Sequence, residues 1–174
     1  MHPARAFKVE DRETLLAFLR EHPFVTLAAS VGGRPMVAQA PVVVREMHDE
    51  LVIDFHLSRG NVLVPHLVQG FRAVMLATGP DAYISPDGYE SADQVPTWNY
   101  LSVEALPKPL WTRHKMAPGK FEAMLRGIIG GRLLVDRLEG TFKLSQNKSE
   151  ADRLEAAKGL GEHPIAAMMR VKPE

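Results

Sequence analysis

The chain has 174 residues, 21 Lys+Arg against 21 Asp+Glu, 45% hydrophobic residues and no cysteine. That length fits one domain burying roughly 70% of its extended surface without covalent staples, and the missing cysteines exclude disulfides, thiolate nucleophiles and zinc–thiolate sites. Balanced charge removes any global attraction for nucleic acid, no apolar run approaches the ~20 residues of a membrane helix, and the opening Met1-His2-Pro3-Ala4-Arg5 lacks a signal peptide's apolar stretch, so a cytoplasmic protein with no membrane partner is expected.

In chain order, Asp11 is placed to cap a helix through about residue 21, with Leu15, Leu16, Phe18 and Leu19 as its apolar stripe. His22-Pro23 ends it, because proline disfavours helical geometry in the residue before it. Residues 24–29 read as a short strand and Val31-Gly32-Gly33-Arg34 as a turn. Residues 36–45 form a second strand, apolar on both faces and so expected to be buried on both sides, in part by a second subunit. Pro41 cannot donate to a ladder, which predicts an edge or bulge there. After a turn at His48-Asp49-Glu50, residues 51–57 alternate, with Leu51, Ile53, Phe55 and Leu57 facing one way and Val52, Asp54 and His56 the other.

Ser58-Arg59-Gly60-Asn61 breaks that strand, and Asn61 is placed to cap a short helix over residues 62–68. A strand over 71–78 leads into loops at Gly79-Pro80-Asp81 and Ser85-Pro86-Asp87-Gly88; a further strand over 97–105 ends at the prolines 107 and 109. A helix near 119–126, a β-like stretch over 132–138 and helices over 149–158 and 164–170 complete the chain. The pattern predicts a mainly β protein with flanking helices, an antiparallel barrel over residues 1–148 and a C-terminal helical extension over 149–174 packed on it. The βαβ rhythm of a nucleotide-binding parallel sheet is absent.

Four features could carry chemistry. The corner Ser58-Arg59-Gly60-Asn61 combines a helix start, a planar guanidinium and a hydroxyl, which suit an anion such as phosphate; an Asn-capped helix with an exposed arginine accounts for the same residues. His56 shares a strand face with Asp54, as a base and its orienter would, or as a satisfied polar rim. Trp98 and Tyr100 share one strand face with Asn99 opposite; such aromatics line cores and interfaces, or wall a flat heterocycle. Lys143-Leu144-Ser145-Gln146-Asn147 concentrates donors and acceptors where a strand gives way to a helix. The seven histidines show no metal-ligand spacing, so no metal site is expected. From Lys108 to Arg137, seven Lys/Arg stand against Glu122 and Asp136, a local surplus suited to phosphates, to an acidic partner or to a solvated helical face.

Taken together, these stretches resemble the PaiB family, the FMN-binding negative transcriptional regulators of the FMN-binding split-barrel superfamily. The resemblance runs from Met1-His2-Pro3 through His56-Leu57-Ser58-Arg59-Gly60-Asn61, and it is most specific in Gly79-Pro80-Asp81-Ala82-Tyr83-Ile84-Ser85-Pro86, Val95-Pro96-Thr97-Trp98-Asn99-Tyr100 and Leu138-Glu139-Gly140-Thr141-Phe142-Lys143-Leu144-Ser145-Gln146-Asn147. It implies a split barrel that forms a homodimer with FMN in a groove between subunits. Ser58, Arg59 and Asn61 are then expected near the FMN phosphate, with His56, Trp98, Asn99, Tyr100, Lys143, Ser145, Gln146 and Asn147 lining the groove. The chain departs from the family pattern at Val62-Leu63-Val64, where proline and an aromatic are usual. It departs again at Gly88, at Glu104 where histidine is typical, and in lacking a helical stretch before Trp111.

Three functions compete. The first is an FMN-binding regulator or sensor, with DNA contact supported only by the basic surplus and by no recognisable DNA-binding motif. The second is a flavin- or haem-dependent oxidoreductase, in which FMN supplies hydride chemistry or His56 is an axial haem ligand. The third is a shortened member that no longer binds flavin.

Overall fold

The structure, a computed structural model, describes residues 2–47, 50–67, 69–108 and 128–171. The helix expected near 119–126 and the turn residues 48 and 49 lie outside the described residues. Among those described, a two-residue strand β1 (Lys8–Val9) is followed by α1 (Arg12–Glu21), β2 (Phe24–Val31), β3 (Arg34–Met47), β4 (Glu50–Ser58) and α2 (Val64–Leu67). Then come β5 (Ala73–Ile84), β6 (Thr97–Lys108), β7 (Ile128–Lys143), α3 (Glu150–Gly159) and α4 (Pro164–Arg170). Strand order is β1-β7-β4-β3-β2-β5-β6, and β7 also pairs with β6. The registered pairs β1–β7, β2–β3, β2–β5, β3–β4 and β4–β7 are all antiparallel. Among the described residues, no helix is long and apolar enough to cross a membrane.

The chain divides into two units, one of residues 12–77 and 103–138, the other of residues 1–11, 78–102 and 139–174. In the first, α1 buries Leu15, Leu16, Phe18 and Leu19, the stripe that helical periodicity picks out. His22 closes the helix: its backbone N–H donates to the Phe18 carbonyl at 3.0 Å, and its ring stacks on Phe18 with centroids 4.1 Å apart. The β2–β3 hairpin turns on Gly32 and Gly33, both at positive φ (56° and 78°), the backbone that a two-residue turn between twisted strands requires and that side-chain-bearing residues resist.

β3 changes partner at Pro41: residues 34–41 pair with β2 and 42–47 with β4. The absent N–H therefore falls at the end of a ladder, the position where proline costs least. Within the single chain one face of this strand is buried. Ala38, Ala40 and Val42 are buried, whereas Val37 and Val43 on the other face are 60% and 54% exposed, and Phe24 of β2 is 66% exposed. β4 keeps its alternation except at Val52, which is buried. Arg45, the register partner of Val52, reaches Asp54 at 3.2 Å.

β5 corrects the sequence reading at Gly79-Pro80-Asp81, expected as a loop: the strand runs through them to Ile84. Ala73, Met75 and Ala77 are buried, then Ala82 and Ile84, so the alternation changes phase across residues 78–81. Such a phase change is how a bulge absorbs a residue without ladder capacity, and β2 pairing stops at Leu76. Likewise β6 continues past Ala105 through Pro107 to Lys108, and β7 is longer than expected at both ends.

The second unit holds Phe7, Ile84, Tyr89, Leu101, Leu144, Ala156, Ala157, Ile165 and Met169 in its core. Ser149 caps α3 by accepting from the Asp152 N–H, and His163 caps α4 by accepting from the Ile165 N–H. Asp152 accepts from the Ser91 N–H at 2.8 Å and the Ser91 hydroxyl at 2.7 Å, tying α3 to the loop before β6. The buried Arg153 donates to the Met169 carbonyl, closing the end of α4.

Candidate functional site

The sequence-derived candidates fall into two groups, His56, Ser58, Arg59 and Asn61 in the first unit and Trp98, Asn99, Tyr100, Lys143, Ser145, Gln146 and Asn147 in the second. In the first group β4 carries His56 to the outward face of the sheet, opposite Gly130 of β7. His56 is exposed, but Asp54 does not serve it. The Asp54 carboxylate accepts from Arg132 twice, at 2.5 and 2.9 Å, and pairs with Arg45. This two-point bond holds the Arg132 guanidinium above its ordinary range, burial opposing it. The pair of His56 with Asp54 is therefore a polar rim, the bland reading of those residues.

At the corner, α2 covers four residues, 64–67, of the helix expected over 62–68, residue 68 lying outside the described residues. Asn61 accepts from the Leu63 N–H at 3.0 Å, and the Val64 N–H is taken by the Asn61 carbonyl. Two N–H groups that a longer helix would aim at an anion are thus already used. What the corner still presents is Ser58, Arg59 and Gly60, all exposed. Open space surrounds the position a Cβ would take at Gly60, and Arg59 makes no hydrogen bond or ion pair among the described residues. An unpaired guanidinium beside a hydroxyl and a bare backbone can hold a phosphate.

In the second group the strand alternation of β6 separates the residues. Asn99 is fully buried, while Trp98 is 55% exposed and Tyr100 partly so. The Asn99 amide donates to the Ser145 hydroxyl at 2.9 Å and to Met169 Sδ at 3.3 Å, and accepts from the same hydroxyl at 3.3 Å. Tyr89 OH lies 3.5 Å from Ser145 Oγ. Ser145 has φ +61°, strained backbone for a non-glycine residue, and the buried hydrogen bonds to Asn99 hold it there. Gln146 is spent locally, accepting from the Leu144 N–H and donating to the Phe142 carbonyl. Asn99, Ser145 and Gln146 therefore shape the loop.

Trp98, Tyr100, Lys143 and Asn147 keep exposed surface. Lys143 donates to Thr97 Oγ1 and to the Trp98 carbonyl, with its ammonium 5.8 Å from the centre of the Phe7 ring. Burial pushes Lys143 below the usual lysine range, and the nearby Lys148 charge adds to it. Sequence reading did not single out Tyr83, half exposed, whose ring meets Trp98 edge-on at 5.9 Å. Only the phase change in β5 turns Tyr83 outward, and no local pattern announces that shift.

An antiparallel β protein of this strand order with short flanking helices belongs to the split-barrel class. The flavocytochrome Anf3 from Azotobacter vinelandii shares the fold with a TM-score of 0.58, at 15% identity over 82% of this chain and 72% of that one. The FAD and heme binding protein from Mycobacterium smegmatis does so with 0.57, at 18% identity over 78% and 73%. Within that class the family described as "Putative FMN-binding domain" matches residues 1–109, more than half the sequence, and the chain belongs to it. The "Protease synthase and sporulation protein PAI 2" of Bacillus subtilis (strain 168) is 28% identical over 97% of this chain and 94% of its own length.

Proposed function

We propose that the protein binds FMN and acts in the cytoplasm as a homodimeric PaiB-like regulator or sensor. The observation that carries this reading is membership of the FMN-binding family over a span containing His56, Ser58, Arg59, Asn61, Trp98, Asn99 and Tyr100. In this reading Arg59 and Ser58 hold the flavin phosphate, because Arg59 is exposed and has no carboxylate of its own among the described residues. Trp98, Tyr100 and Lys143 offer aromatic faces and an ammonium to the ring system, while Ser145, Gln146 and Asn147 form the loop after Lys143, tied to β6 through Asn99. Bound FMN would supply reversible hydride or electron transfer; the protein's part is to orient it and set its surroundings. The regulatory role takes its support from the Bacillus subtilis relative, whose name ties it to sporulation. Residues 1–148 would form the flavin-binding domain, with 149–174 as the helical extension.

The test is direct. Full-length protein incubated with FMN and then desalted is expected to retain a yellow flavin spectrum, and Arg59→Gln to bind about tenfold more weakly through loss of a charge-assisted phosphate contact. A colourless wild-type protein at saturating FMN would sink the reading. Haem is the second reading, favoured by the exposed His56 imidazole on β4. It requires a Soret band on haem addition that His56→Ala removes. DNA contact rests on the basic surplus, most of which lies outside the described residues. It would appear as duplex binding that weakens steeply with salt.

A further inference from the structure

Away from every residue assigned above, the first unit carries a groove of about 490 Å³ lined by Ala28 and Ser30 of β2, Ala73 and Val74 of β5 with the preceding Arg72, Leu106 of β6, and Asp136 and Arg137 of β7. The sequence makes the hollow. Ala28 pairs with Val74 across β2 and β5, and carrying that register one outward pair further sets Ser30 opposite Arg72. Small side chains at 28 and 30 leave unfilled the space that larger residues on an outward face would cover. The floor is apolar and the charged rim holds two arginines against one aspartate. Arg137 is engaged within the structure, whereas Arg72 is exposed and makes no hydrogen bond or ion pair among the described residues.

We propose that this groove binds a small organic anion, its apolar body lying on Ala28, Val74 and Leu106 and its anionic group meeting Arg72 and the Ser30 hydroxyl. The volume suits one small molecule, pockets for which run from about 300 to 1,000 Å³. The placement of Arg72 opposite Ser30 by register sets the sign at that end of the groove, and a planar guanidinium suits the oxygen pair of a carboxylate, sulfonate or phosphate. The site would act beside the flavin and independently of it, since no proposed flavin residue lines it.

The probe is 8-anilinonaphthalene-1-sulfonate, an aromatic anion whose fluorescence rises in apolar surroundings, titrated into the full chain with its flavin as purified. Saturable binding at one dye per chain is expected, about tenfold weaker in Arg72→Gln and abolished in Ser30→Trp, which fills the groove from an exposed position. Phe24→Ser is expected to bind as wild type, and excess FMN to leave the dye in place. Wild-type affinity in Arg72→Gln, a variant on the surface whose fold a thermal melt would verify, overturns the proposal. So does an absence of saturable binding, loss of binding in Phe24→Ser, which would put the dye on the exposed sheet face, or displacement of the dye by excess FMN, which would put it in the flavin site.

Discussion

Asn99 shows how one side chain can look like a ligand contact and serve as a fastener. Its amide is fully buried and joins β6 to the loop after β7 and to Met169 of α4. Asn99→Ala opens a void and leaves the Ser145 hydroxyl only Tyr89 OH at 3.5 Å, a cost of about 1–3 kcal/mol. Urea titration would measure it, and the double variant with Ser145→Ala should cost less than the sum of the two single changes, because the two side chains share their hydrogen bonds. Additive costs would show that the pair is not coupled. Asp152 makes a different point. Its hydrogen bonds from Ser91, side chain first and backbone second, hold its carboxyl below the usual aspartate range. A carboxylate depressed by folding stabilises above its unfolded pKa of about 4 and loses that contribution as pH falls through the lower folded value. Acid unfolding below pH 4 should therefore be less steep in Asp152→Asn than in wild type; identical slopes would remove Asp152 from the acid response.

At the level of elements, the β4–β7 pair has a defined weak point. Phe55 and Gly131 are register partners, and a Cβ at Gly131 would lie 2.4 Å from the Phe55 ring. Because that ring is buried, Gly131→Ala must displace it, at about 1–3 kcal/mol, or roughly 2–4 °C of melting temperature per kcal/mol. Phe55→Leu should recover part of the loss, and an unchanged melt in Gly131→Ala would show that the ring has room to move. The elements also show where local pattern fails. The helix over 12–21 and the glycine turn were legible because their signals are local: a 3.6-residue stripe, and two residues that tolerate positive φ. The course of β5 was not, since Gly79-Pro80-Asp81 carries the composition of a loop and becomes strand only through the sheet around it.

For the whole molecule, the outward face of β2 and β3 is the feature a single chain leaves unfinished. Phe24, Val37 and Val43 are each more than half exposed, on strands whose other face is core. A soluble protein keeps such a face bare at a cost in solubility, and the homodimer proposed above would cover it. Light scattering is expected to give twice the chain mass of 19.3 kDa, and Val37→Lys with Val43→Lys is expected to yield monomers with an unchanged far-ultraviolet spectrum. A monomeric wild type, or a dimer that survives both lysines, would place the contact elsewhere or nowhere.

Sequence alone determined the class of fold, the family, the cofactor to test and the two tracts worth watching, because strand alternation, turn chemistry and ordered motifs are written locally along the chain. The tertiary structure decided what each residue in those tracts does. Alternation on β6 sends Asn99 into the core and Trp98 outward, and the cross-strand register gives Asp54 to Arg132 and Arg45, away from His56. A four-residue α2 leaves Arg59 at its corner exposed and without a hydrogen bond or ion pair among the described residues. The partners that decide these roles include Asn99 with Ser145, 46 residues apart, and Asp54 with Arg132, 78 apart, separations that register and packing bridge and that no local pattern reaches.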